Sequence, residues 1–143
     1  MRWATRPGVH IDRAASAWLI RRFIDPQAEF EFHSRVELVP AGVSAFDMPG
    51  ADYSHHGGDC TFETLLRRFD LADPVLWRLA QSVHEADLED GRFDAPEAPG
   101  LDMVLRGLTL SGTDTHTLAV AAAIFDGLLA YHRRALLTGR DPA

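Results

Sequence analysis

The sequence contains no lysine. All 14 of its basic residues are arginines, set against 21 acidic residues, for a formal net charge of −7. That balance argues against unspecific nucleic-acid binding, which needs clustered cations to neutralise phosphates. A GC-rich genome produces such an arginine bias without selection for function. There is one cysteine, Cys60, so an internal disulfide is excluded. A lone thiol suits a reducing cytoplasm, or a protein that keeps one thiol for chemistry. No apolar run reaches the ~20 residues of a membrane span, and the stretch around 118–130 is interrupted by Asp126. The N-terminus lacks the basic-then-apolar pattern of a secretory leader. P-loop, G-x-G-x-x-G, G-x-S-x-G, C-x-x-C and H-E-x-x-H patterns are all missing, so nucleotide folds, nucleophile-elbow hydrolases and standard zinc spacings lack support. The expectation is a soluble, cytoplasmic protein without membrane contact.

The 143 residues suit a single domain, 1–143, and the hydrophobic fraction of 46% is that of an ordinary globular protein. Arg2–Thr5 reads as a short strand. Asp12 is placed to cap a helix running to about Ile24, with Ala15, Trp18, Leu19, Ile20 and Phe23 on its apolar side. Asp25-Pro26 stops it. Phe30 and Phe32 alternate with polar residues across Glu29–His33, the period of a strand. Val36–Val39 and Ala45–Met48 read as further short strands. The remainder is helical: Phe62–Phe69; a helix capped by Asp73 with Pro74 at its first position; about Leu101–Leu108; and about Asp114–Leu137, with Leu118, Ala121, Ala122, Phe125, Leu128, Leu129 and Leu136 as its stripe. Strands first and helices after predict an α+β fold, mostly helical, with a small N-terminal sheet of short strands. The Ala119–Ala123 run predicts close helix packing, with a homodimer seam as one use.

Chemistry concentrates in His55-His56-Gly57-Gly58-Asp59-Cys60-Thr61-Phe62-Glu63. Imidazole, thiolate and carboxylate are the usual ligands of zinc or iron. With a helix starting near Cys60, the side chains of Cys60 and Glu63 share a face. Thr61 is placed to cap, and the exposed N–H groups favour the Cys60 thiolate. The Gly-Gly bend lets His56 fold back toward them. On the next helix His84 and Asp87 are three apart, with Glu85 and Asp90 nearby. His56, Glu63, His84 and Asp87 thus form a candidate N/O site for a divalent zinc, iron or manganese ion. Cys60 is either a fifth ligand or a neighbouring redox thiol. Plain structural readings stand beside these. Cys60 is also a natural small core residue. Glu63 suits a first-turn acid, His55 a solvated loop residue, and His84 with Asp87 a pair on a wet face.

Arg13 and Arg21, with Arg6 and Arg22 in the same stretch, are the candidate contacts for a tetrahedral oxyanion. Arg21-Arg22 equally suits a solvated helix end. His10 close to Asp12 is a candidate general base, or a capping residue. His116 and His132 lie roughly 24 Å apart along one helix, too far to share an ion.

Several segments together resemble the C-terminal domain of the chromate resistance protein ChrB, over almost the whole chain. They are Trp3-Ala4-Thr5-Arg6, Ile11-Asp12-Arg13-Ala14, Trp18 to Pro26, Phe46-Asp47 with Pro49-Gly50, His56-Gly57, Cys60-Thr61-Phe62-Glu63, Leu71-Ala72-Asp73-Pro74, Val83 with Asp87, and Ala98-Pro99-Gly100-Leu101. The resemblance implies a bacterial cytoplasmic protein linked to chromate resistance. In full-length members a preceding domain accompanies this one in a chromate-responsive regulator. Without that domain DNA binding is not expected of this chain, in keeping with its acidic charge. The family position of His84 can carry Arg, which ranks His84 below His56 and Glu63 as a ligand. Two functions follow as expectations: a redox or detoxifying metalloprotein acting on chromate or the oxidants it generates, or a non-catalytic metal or oxyanion sensor.

Overall fold

A computed structural model describes residues 1–139. Three short strands open the chain's architecture: β1 (Arg2–Thr5), β2 (Glu29–Phe32) and β3 (Ser44–Ala45), in the order β2-β1-β3. Both pairings are parallel, with Trp3 opposite Phe30 on one side and Ser44 on the other. Parallel neighbours cannot be joined by a tight turn. The connection between β1 and β2 is the helix α1 (Ile11–Leu19), which continues in wider π-type turns over Ile20–Ile24. Four helices follow: α2 (Thr61–Arg68), α3 (Pro74–Leu88), α4 (Ala98–Ser111) and α5 (Asp114–Thr138). The fold is α+β, with the helices dominant.

The reason α1 occupies the centre is its composition. Alanines at 14, 15 and 17 let neighbouring helices approach closely, and every residue of α1 except Arg13 is buried. Trp18 is its anchor. Its ring stacks on Phe62 with planes 8° apart and meets Phe125 and Phe23 at 5.7 Å between centroids. Its indole N–H donates to Asp126 Oδ1 at 2.9 Å. This explains the one acid in the apolar part of α5: it satisfies a tryptophan N–H that burial would otherwise leave unpaired. Thr117, Ala121, Phe125, Leu129 and His132 form the buried side of α5. Leu136, expected in that stripe, is 51% exposed, and Ala119 and Ala123 also face outward.

Four local expectations change. The strand expected over Ala45–Met48 is confined to Ser44–Ala45, and Asp47 and Met48 bend away. Val36–Leu38 is a 3₁₀ turn rather than a strand. α4 begins at Ala98 and ends at Ser111, about a turn longer at each end than its apolar pattern suggested. Asp12 does not cap its own helix; His10 occupies that position. The Asp12 carboxylate reaches across to α2 instead, where Oδ2 accepts from Thr61 N–H at 2.9 Å and Oδ1 from Phe62 N–H at 3.0 Å. The two free amides at the start of one helix are thus satisfied by a buried acid from another. Asp73 does cap as expected, with Oδ1 accepting from Val75 N–H at 2.9 Å, and Thr113 caps α5.

Asp12→Ala should leave both α2 amides buried without a partner. At about 1–3 kcal/mol for each such group, we expect a loss of at least about 2 kcal/mol in urea denaturation. Asp12→Asn, which keeps an acceptor oxygen, should lose less. Equal midpoints for wild type and Asp12→Ala would contradict this account of the α1–α2 junction.

Candidate metal centre

The turn before α2 positions the first candidate ligands. His56 and Asp59 exchange backbone hydrogen bonds of 3.2 and 2.9 Å around Gly57 and Gly58. Both glycines have positive φ, 56° and 89°, the geometry of a two-residue hairpin turn. The reversal delivers Cys60 to the N-cap of α2. There the Glu63 carboxylate folds back to accept from Cys60 N–H at 3.0 Å, a capping box with cysteine in the usual serine position. Cys60 and Glu63 therefore do share a face. Thr61 does not cap; its hydroxyl donates to Asp47 Oδ1 at 2.9 Å.

Opposite them stands His84 of α3. Its Nδ1 lies 2.5 Å from Glu63 Oε1, and its Nε2 lies 2.9 Å from Asp90 Oδ2. The three side chains are enclosed: His84 is 0% exposed, Glu63 3% and Cys60 0%. One ligand atom from each of Cys60, Glu63 and His84 lies within 4.8 Å of the others. The Asp90 carboxylate sits on the far side of the ring, where it holds the imidazole orientation from behind. Phe93 meets the His84 ring edge-on at 5.0 Å and closes that side.

A second group lies beside the first. His55 Nε2 stands 3.0 Å from Asp12 Oδ2 and 3.1 Å from Asp87 Oδ2. Asp47 Oδ1 is 3.9 Å from the same nitrogen. Asp47 is paired with Arg13 at 3.1 Å and has φ of 52°, a backbone conformation that side chains rarely adopt. A concavity of about 370 Å³ opens here, lined by Arg6, Arg13, Asp47, Ser54 and His55 among others.

The structure thus divides the five ligand candidates. Cys60, Glu63 and His84 come together. Asp87 joins a different trio with Asp12 and His55. His56 joins neither: its ring is exposed and its backbone makes the turn. The Gly-Gly bend forms as expected, but it returns the chain backbone-to-backbone. Successive residues of an extended segment point to opposite sides, so His55, not His56, faces the helices. Asp12, His55 and Asp47 were not among the ligand candidates. From the sequence Asp12 reads as a cap of its own helix and His55 as a solvated loop residue, and only the Phe46-Asp47 motif marks Asp47.

The arginines do not converge either. Arg13 is held by the carbonyls of Gly8 and Asp47, at 3.0 and 2.9 Å, and by the Asp47 carboxylate. Arg21 donates to Ala28 O at 3.1 Å and lies over Phe30. They border separate concavities, Arg21 on a smaller one of about 100 Å³ beside Trp18. His10 is not oriented by Asp12, whose oxygens face α2 and His55. Partial burial, with Arg106 and Arg13 nearby, lowers its pKa.

The electrostatics of the two groups differ. Burial, then the carboxylates of Asp12 and Glu63, push the Cys60 thiol up. A helix N-terminus favours a thiolate, but burial, together with the two acids that occupy this one, keeps Cys60 a thiol. Burial works to lower the pKa of His84, yet hydrogen bonds to Glu63 and Asp90 prevail and raise it. Burial and the neighbouring Asp12 raise Asp47 to about 7. Hydrogen bonds to Asp12 and Asp87 raise His55 to about 10.

The sign of the His55 effect is set by its direction. A raised histidine stabilises the fold fully below its ordinary 6.5, and that contribution fades as pH climbs through about 10. In chelator-treated protein the Tm of wild type should fall toward that of His55→Gln across this window. Asp47 ionises near about 7, inside the lower part of this window, so the comparison is read above that step, between about pH 8 and 10. The Cys60 effect is common to both proteins and cancels. A gap between the two that stays constant across the window would refute the assignment.

Comparison with known proteins agrees with the motifs. The model of the ChrB, C-terminal domain family matches residues 3–132. Protein ChrB of Cupriavidus metallidurans is 44% identical over 106 residues, covering 73% of this chain and 32% of that protein. The chain thus spans about a third of the length of that relative. No solved structure matches. Among the described residues no helix is long and apolar enough to cross a membrane. The chain belongs to the family of the ChrB C-terminal domain, a family associated with chromate resistance.

Proposed function

We propose that this chain is a metal-binding accessory module of bacterial chromate resistance, with its ion gripped between α2 and α3 by Cys60, Glu63 and His84. One observation carries the reading: a thiol, a carboxylate and an imidazole meet within 4.8 Å in a fully buried space. Burying such groups without a cation is costly, and a metal is a common reason to assemble them. The mixed S/O/N set suits zinc or ferrous iron over magnesium or calcium. His84 would offer Nδ1, the nitrogen facing Glu63, while Asp90 holds Nε2–H. That is the carboxylate–histidine–metal arrangement in which the outer acid fixes the tautomer. Loading would displace the proton between His84 and Glu63 and the one on Cys60, so affinity should rise with pH.

The enclosure favours sensing or a structural role over turnover at this position. Catalytic zinc sites keep one coordination position open to substrate, whereas the three ligands here are at most 3% exposed. A redox or detoxifying role, the other expectation, would need a site that chromate can reach.

Elemental analysis of tag-free protein tests the proposal. We expect near one equivalent of zinc or iron. Occupancy should be lost in Cys60→Ser and Glu63→Gln, with helical circular dichroism retained. Glu63→Gln keeps the acceptor for Cys60 N–H and so spares the capping box. Asp90→Asn, at a residue 45% exposed, should weaken metal affinity by about 10–100-fold. No metal after reconstitution, or full occupancy in Cys60→Ser, would overturn the proposal.

A further inference from the structure

The second trio asks for a different occupant. His55 Nε2 carries at most one N–H, yet it stands 3.0 Å from Asp12 Oδ2 and 3.1 Å from Asp87 Oδ2. One proton cannot point squarely at two carboxylates. Arg13 answers Asp47; beyond the two α2 amides that Asp12 accepts from, Asp12 and Asp87 share a single imidazole. A cation with several coordination directions satisfies both acids and the ring nitrogen together. The spacing suits one: an octahedral ion with bonds of about 2.1 Å has ligand–ligand edges of about 3.0 Å. The donor atoms are hard, two carboxylate oxygens and one nitrogen, with no sulfur among them. Asp12 keeps its two amide contacts, since a carboxylate has about four lone-pair positions.

We propose that Asp12, His55 and Asp87 form a separate site for a divalent cation of the magnesium or manganese class, with coordination positions open to the Arg6–Ser54 cleft. This goes beyond the buried Cys60 site and does not depend on it. The openness rests on exposure and shape. His55 is 46% and Asp87 26% exposed, in contrast with the sealed trio on the other side of α2. His55 also forms part of the wall of the 370 Å³ concavity, with Arg6 and Arg13 in the same wall. Three protein ligands leave about three positions of an octahedron for water or an anion. An anion bound there would meet the cation together with the Arg6 guanidinium. This arrangement, unlike the buried trio, offers a reachable metal.

Mn²⁺ reports on such a site directly. In the full chain, with zinc and iron removed, electron paramagnetic resonance should show one bound Mn²⁺. The bound ion should enhance the relaxation of water protons, because it retains exchangeable waters. His55→Gln and Asp87→Asn, two positions that cap no helix, should each weaken Mn²⁺ binding by about tenfold or more. Cys60→Ser should leave it unchanged. Absence of Mn²⁺ binding at millimolar concentration would overturn the proposal, as would equal affinity in wild type, His55→Gln and Asp87→Asn. Loss of binding in Cys60→Ser alone would place the ion in the buried site instead, and a bound ion without relaxation enhancement would refute the open coordination. Neither the presence nor the failure of this site bears on zinc or iron occupancy at Cys60.

Discussion

The Asp12 carboxylate is where the elements of this domain are tied together. It leaves the first turn of α1, is 2% exposed, and accepts from the first amides of α2. A helix of 8 residues, the length of α2, is too short to hold itself in water. Its N-terminal amides need partners, and they find one on another element. That contact fixes how α2 sits on α1, and hence where Cys60 and Glu63 point. It also sets one carboxylate beside His55. Both candidate sites inherit their geometry from this single cap.

The cap has an electrostatic consequence. Asp12 and Glu63 bring two acids to one helix start, where the dipole welcomes negative charge. Asp47 and Asp87 bring two more within reach of His55. The protein answers them with His55 and Arg13 on one side and His84 on the other. The result is two charge systems back to back, sharing α2. One is sealed and contains sulfur. The other is wet and holds only oxygen and nitrogen. With metals at both proposed sites, selectivity between ions of different hardness would follow from that partition.

Much of this was legible from composition and spacing. Period-2 alternation at Phe30 and Phe32, the Asp73-Pro74 start and the stripe around Phe125 are local signals, and each led to the element that forms. Cys60, Glu63 and His84 were legible for a similar reason: a three-residue spacing puts Cys60 and Glu63 on one face, and a helix carries His84 opposite. What could not be read were matters of direction across the chain. Asp12 looks like a local cap because nothing in the sequence says which helix it will serve. His55 and His56 are adjacent and chemically identical, and a strand-like segment sends them opposite ways. The choice between them depends on one residue of parity, which tertiary packing decides. The resemblance ranked His84 below His56 and Glu63 as a ligand, yet the fold buries His84 completely.

The two sites differ most in what can enter them, and that bears on how a chromate-resistance domain could act. A tetrahedral dianion cannot reach the Cys60 trio without opening the α2–α3 contact, since His84 is shielded by Phe93 on one side and by Asp90 on another. It would also meet the carboxylates of Asp12 and Glu63 before it met the thiol. The Arg6 cleft has guanidinium groups in its wall, and the one carboxylate that lines it, Asp47, is paired with Arg13. On the proposed reading, direct chemistry on an oxyanion would belong to the cleft, and an ion in the buried trio would hold the α2–α3 junction and pass a change in its occupancy to the helices around it.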